Sequence, residues 1–318
     1  MHAVCALCRR LSLLAIVVFC GCAAGPYQVG HGWASNSAAA IAKTGPATEA
    51  VGDPQPIEVA HGRRNVVIDG IGWVFGIPGK LIYWDRRFEN HDVSPATESA
   101  VVEYLACNHL EDVTVRVNQY APWQEWKRLQ SNTNVGAGWR YTFGLVNLAG
   151  YTIFPGRLFG GDRYNPYTNS VYVYSDIAPL GIYSSAYSKD VHSREYPGTY
   201  AAVNEFAIAS LWHDTIAADD ALGYLAQRQD QAAYEEGVAF LHPYYGSQVG
   251  VAAESVVGAA PLLWIGGAIA GHLNGRREIR LSEQSRTQAV ADWVELRPAT
   301  AAGSGSGAAI QQVGFTNE

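Results

Sequence analysis

The apolar positions of the chain follow two periods. Asn169 to Tyr174, NSVYVY, interleaves β-branched and aromatic residues and predicts a strand. Val113 to Val117, VTVRV, alternates and predicts another. Ser94-Pro95 supply an N-cap and a first-turn proline ahead of VVEYLACNHL, which predicts a helix over about 95–108. APWQEWKRLQ reads as a short helix. Beyond residue 174 the period lengthens. Ser175 or Asp176 can cap a helix from Ile177 to about Arg194, ended by Pro197-Gly198. Further helices are expected over about 200–226 and 229–241. A Gly/Ala-rich apolar segment follows over 248–274, and the charged helix REIRLSEQSRTQAVADWVELR comes last. Two stretches are less clear. NVVIDGIGWVFGIPGKLIYW is apolar and glycine-punctuated, and periodicity alone does not separate helix from strand there. Residues 135–169 are turn-rich and read as strand plus loops. Strands early and helices late predict an α+β domain over 65–298, with a small, mainly antiparallel sheet followed by a helical half.

The ends of the chain carry no such period. Arg9 and Arg10 precede LSLLAIVVF, an apolar run of nine residues that is too short to span a bilayer. Phe19-Cys20-Gly21-Cys22 follows and resembles the lipobox of bacterial lipoproteins. That resemblance implies a signal peptide over 1–21, cleavage before Cys22, and a diacylated, palmitate-bearing N-terminus. Residues 22–64, rich in Ala, Gly and Pro, then read as a flexible tether, and 299–318 as a disordered tail. Of the five cysteines, Cys5, Cys8 and Cys20 lie in the removed segment. Cys107 would then be the free thiol, expected as a small core residue. This leaves no disulfide framework and no cysteine zinc site.

The chain has 318 residues, 48% hydrophobic and 16% charged, enough for one moderate domain or two small ones. A formal net charge of -7 argues against a nucleic-acid partner.

Candidate chemistry concentrates at YSSAYSKD, residues 183–190. On a helix, Tyr183, Ala186, Tyr187, Val191 and Arg194 share one stripe, and Ser184, Ser185, Ser188, Lys189 and His192 another. The plain expectation is an amphipathic helix that buries its tyrosines and wets its serines. Downstream, LWHDTIAADDALGYL places His213, Asp214, Asp219 and Asp220 on the following helix. A strand, a helix with two residues four apart, and an acid on a later helix resemble zinc metallopeptidases with the His-Glu-x-x-His motif. More closely, PGRLFGGDRYNPYTNSVYVYSD, YPGTYAA and the run Ala217 to Leu222 resemble bacterial envelope lipoproteins of that type, over about 90–275.

In such proteins the resemblance implies two histidine ligands and a glutamate where this chain has Tyr183, Tyr187 and Ser184. A glutamate ligand is implied where it has Asp214. Imidazoles one turn apart aim two nitrogens at one zinc ion, and the glutamate takes the proton of its bound water. Tyrosine, with a pKa near 10, is a poor zinc ligand at neutral pH, and serine is no base there. The expectation is a non-catalytic lipoprotein to which zinc does not bind tightly. It would be held at the membrane by its N-terminal lipid, at the outer more than the inner membrane, and would bind an envelope protein or peptide. One alternative is an active metal-dependent hydrolase using His213, Asp214, Asp219 or His192. Another is a membrane structural protein organised by Gly267, Gly271 and Gly275, which repeat every four residues in a small-x-x-x-small face. Pro261 and Glu254 interrupt that segment and favour a buried helix over insertion.

Overall fold

The computed structural model describes residues 56–228, 230–257 and 262–296, with backbone alone for 290–296. The expected signal peptide, Cys22, residues 22–55 of the expected tether, Pro261 and the expected tail at 299–318 lie outside them. The chain divides into two units, one ending at Arg276 and one beginning at Arg277, and within the second the described residues 277–296 are helical.

In chain order the elements are β1 (Val59–His61), α1 (Val66–Phe75), α2 (Ile77–Tyr83), α3 (Pro95–Cys107), β2 (Thr114–Val117) and α4 (Pro122–Ser131). Next come α5 (Ala137–Trp139), a π-helical turn (Arg140–Gly144), α6 (Leu145–Ile153), α7 (Gly156–Phe159), β3 (Arg163–Asn165) and β4 (Ser170–Val173). Then follow α8 (Ala178–His192), α9 (Pro197–Asn204), α10 (Ala207–Gln227), α11 (Gln231–Val257) and α12 (Leu263–Leu296).

The protein is mixed α and β, mostly helical, and its described residues form one four-stranded sheet in the order β1-β2-β4-β3. The expected mainly antiparallel sheet is corrected. β1 pairs with β2 and β2 with β4 in parallel, and only β3 and β4 are antiparallel. Parallel neighbours need long crossovers. Helices α1 to α3 make the first; the second holds α4, expected as a short helix, and α5 to α7, which lie in the stretch that reads as strand plus loops. β1 itself lies in the stretch that reads as tether. The ambiguous 65–84 stretch is helical. Asn65 accepts hydrogen bonds from the Val67 and Ile68 amides at 3.2 Å, and Pro78 falls in the first turn of α2.

The sheet buries both faces. Val115, Val117, Val171 and Val173 pack with Val101 and Leu105 of α3, while Tyr172 and Tyr174 pack with Leu129, Leu148 and Tyr151. Between β2 and the second face lies a buried ion pair. Glu125 accepts from Arg116 Nε at 2.5 Å, from Ser170 Oγ at 3.0 Å and from the Tyr172 hydroxyl.

α8 is the central helix. It packs against α3, α9, α10, α11, β3 and β4. Its serines are not wetted: Ser184, Ser185 and Ser188 are all buried, with Lys189 and Asp190. Small side chains let neighbours close on every face. Ser185 and Ser188 return their hydroxyls to the Gly181 and Ser185 carbonyls at 2.9 and 2.6 Å. Ser175 and Asp176 do not cap it. Ser175 Oγ donates to Asp162, and Asp176 accepts from Ser94 and Thr97. Ile177 holds the cap position, with Pro179 in the first turn. Cys107, expected in the core, is exposed at the end of α3.

The glycine repeat forms a seam inside the first unit. A Cβ on Gly267 would lie 1.9 Å from the Gly246 carbonyl oxygen of α11, and one on Gly271 2.3 Å from that of His242. Among the described residues no single helix is long and apolar enough to cross a membrane. Because the obstructing atoms are backbone, Gly267→Ala must separate the two helices. We expect it to cost about 1–3 kcal/mol, read as a lower urea midpoint.

Candidate functional site

Four elements bring the motif positions together. Tyr183, Ser184 and Tyr187 of α8, His213 and Asp214 of α10, Tyr164 and Asn165 of β3, and Tyr244 of α11 line one cavity of about 220 Å³. The spacing of Tyr183 and Tyr187 aims both rings at α10. The Tyr183 hydroxyl donates to Asp214, and its ring meets that of Tyr244 edge-on at 5.4 Å. Tyr187 stacks on His213, with ring centroids 3.9 Å apart and planes 16° apart. Each tyrosine therefore occupies one member of the His213-Asp214 pair.

The electrostatics follow from burial. Burial first, and the Asp214 charge second, push the Tyr183 hydroxyl well above its ordinary value, so it offers no phenolate. Burial lowers His213 to about 3, leaving a neutral ring, and raises Asp214 to about 6 against the opposing hydrogen bond from Tyr183. Two buried polar atoms in the wall, Ser184 Oγ and His213 Nδ1, have no hydrogen-bond partner. His213 Nδ1 stands 3.6 Å from Asp214 Oδ1. Among the described residues no three His, Cys, Asp or Glu side chains converge as a metal site requires. Asp214 is the carboxylate that meets Tyr183, and Asp162 and Glu205, both raised by burial, stand elsewhere in the same wall.

His192 and Asp219 do not join this wall. His192 sits at the far end of α8, its Nδ1 2.7 Å from the Ser188 carbonyl oxygen and its Nε2 3.3 Å from Asp112. Lys189 and Asp190, the end of the motif, are structural. Lys189 Nζ lies 2.6 Å from Asp220, which also accepts from Tyr104. Asp190 accepts from Arg194 and, at 2.5 Å, from the Tyr200 hydroxyl. The sequence reading does not single out the other walls: Asp162, Arg163 to Asn165, Asn204 and Gln248. The one signal for them is the polar density of GGDRYNPYTN immediately before β4.

The opposed shifts at His213 and Asp214 give a pH test. Asp214 binds its proton more tightly folded than unfolded. Its contribution is full below about 4 and is lost as pH rises toward 6. His213 acts the other way, losing stability as pH falls from about 6.5 toward 3. In the parent the two slopes oppose each other between these limits. Asp214→Asn removes one of them. Its stability relative to the parent should rise between pH 4 and pH 7, by on the order of 2 kcal/mol, in urea titrations at each pH.

Comparison with protein family models, with curated proteins and with solved structures finds no match to this chain.

Proposed function

We propose that the chain is an envelope lipoprotein of metallopeptidase-like architecture that binds rather than cleaves. The occupied tyrosines carry this reading. Tyr183 on Asp214 and Tyr187 on His213 fill with protein atoms the space where a metal would have to sit. The polar wall, with Ser184 Oγ and His213 Nδ1 unpartnered, suits a neutral polar ligand that supplies those two hydrogen bonds. An extended peptide is the natural candidate. β3 is an edge strand, its residues line the cavity, and an edge can accept a further strand. Lipidation at Cys22 would hold this cavity at the bacterial envelope.

The second reading, a hydrolase with unusual ligands, rests on Asp214, whose carboxyl faces the cavity and is raised by burial to about 6. Metal analysis separates the two. The protein purified without added metal should carry no stoichiometric zinc and hydrolyse no peptide library, yet retain peptides from that library on a column. One zinc per chain together with chelator-sensitive hydrolysis would reject the binding reading.

A further inference from the structure

Among the described residues an exposed apolar surface lies elsewhere, on α1 and α2. Val66, Val67, Ile71, Val74, Phe75 and Leu81 are exposed, Val66 at 80% and Val67 at 70%. The patch continues through ring contacts. Phe75 lies 4.9 Å from Phe159, and Phe159 6.2 Å from exposed Phe154. At the other end Trp84 stacks on His272 at 4.2 Å, beside exposed Ile269 and Leu273 of α12. A soluble monomer rarely leaves so much contiguous apolar surface open.

Three observations point to one occupant. First, the rim is basic although the whole chain is acidic. Arg63, Arg64, Arg86 and Arg276 are exposed around these helices, and Arg276 lies over the Trp84 ring at 4.8 Å. Second, Trp73 and Trp84 are both exposed on this surface, and tryptophan favours the membrane interface. Third, an open groove of about 670 Å³ beside the first turn of α1 pairs Arg63 and Arg64 with Ile68, Pro155 and Leu158. Cation and apolar wall side by side suit a phosphate headgroup and the start of its acyl chain.

We infer that α1 and α2 lie in the surface of an anionic phospholipid bilayer, with a headgroup in the Arg63–Arg64 groove. The pair is apolar enough to qualify as a broken span, bent by 50°. It is also pinned to the domain. Asp69 Oδ1 accepts from Arg157 Nε at 2.7 Å, and a Cβ on Gly72 would meet His91 at 2.5 Å. Held this way, the helices immerse one face and do not cross. This contact is separate from any lipid at Cys22.

The test uses the full chain in vesicles, with Cys5, Cys8, Cys20 and Cys107 replaced by serine. A nitrobenzoxadiazole label goes on Val74→Cys or, as reference, on Lys127→Cys of α4. The unsubstituted background protein provides the blank. In phosphatidylglycerol-rich vesicles the label at 74 should shift to the blue and be quenched by doxyl lipid severalfold more than the label at 127. Adding Ile71→Glu and Phe75→Glu, both at exposed positions, should abolish the difference. Equal quenching at both positions overturns the inference. A blue shift without vesicles that grows with protein concentration assigns the face to a second copy and also overturns it. An equal shift in phosphatidylcholine overturns the anionic assignment.

Discussion

Tyr183→His, Ser184→Glu and Tyr187→His, made together, should add about one tightly bound zinc ion per chain over the parent. Positions 183 and 187 are one turn apart on α8 and both meet the His213-Asp214 pair of α10 across the same cavity. Two neutral imidazoles with Asp214 provide three ligands, and zinc needs nitrogen at about 2.0–2.1 Å and an open fourth position. Histidine is smaller than tyrosine, so the change relieves packing, and the glutamate enters the cavity where Ser184 Oγ lacks a partner. We expect affinity to rise on the order of a thousandfold, measured by metal analysis after dialysis and by competition with a chromophoric chelator. With Ser184 retained, the two histidines alone should bind metal without hydrolysis, because the base is missing. If the triple variant folds and takes up no zinc, α8 and α10 do not share the geometry of a metallopeptidase.

The largest single loss of stability is expected at Glu125. It is fully buried and serves the Arg116 guanidinium, the Ser170 hydroxyl and the Tyr172 hydroxyl at once. Glu125→Ala strands a buried cation, which by itself costs about 3–5 kcal/mol. That is a large part of the roughly 5–15 kcal/mol that holds a typical domain folded. Replacing both partners, Arg116→Met with Glu125→Leu, should recover most of the loss, because no unpaired charge remains. Urea midpoints for the three proteins decide this. A double variant as unstable as Glu125→Ala would point to packing rather than charge.

What the sequence makes legible divides along the range of the interactions involved. Short-range signals hold. Ser94-Pro95 begins α3, and both alternating runs, 113–117 and 169–174, contain strands. Partners far apart in the chain leave no such signal. β1 has three residues in an Ala/Gly/Pro-rich stretch, and its parallel pairing with β2 crosses three helices. Ser175 looks like a helix cap until Asp162 claims its hydroxyl from the neighbouring loop. The serines of α8 look polar in periodicity, yet they are small, and smallness decides here because six elements converge on that helix. The site shows the same division. Tyr183, Ser184, Tyr187, His213 and Asp214, singled out in the sequence, do line one cavity, whereas Asp219 lies outside its wall and His192 is held against Ser188 and Asp112.

The enclosure of α8 also governs how the molecule breathes. A helix covered on every side has no face from which to fray, and its middle amides reach water only when α10 or the sheet has already come away. Deuterium entering at residues 183–188 should therefore do so at the slowest rates in the unit, by the same opening that unfolds it globally. Those few amides amount to a built-in gauge of total stability, read without denaturant.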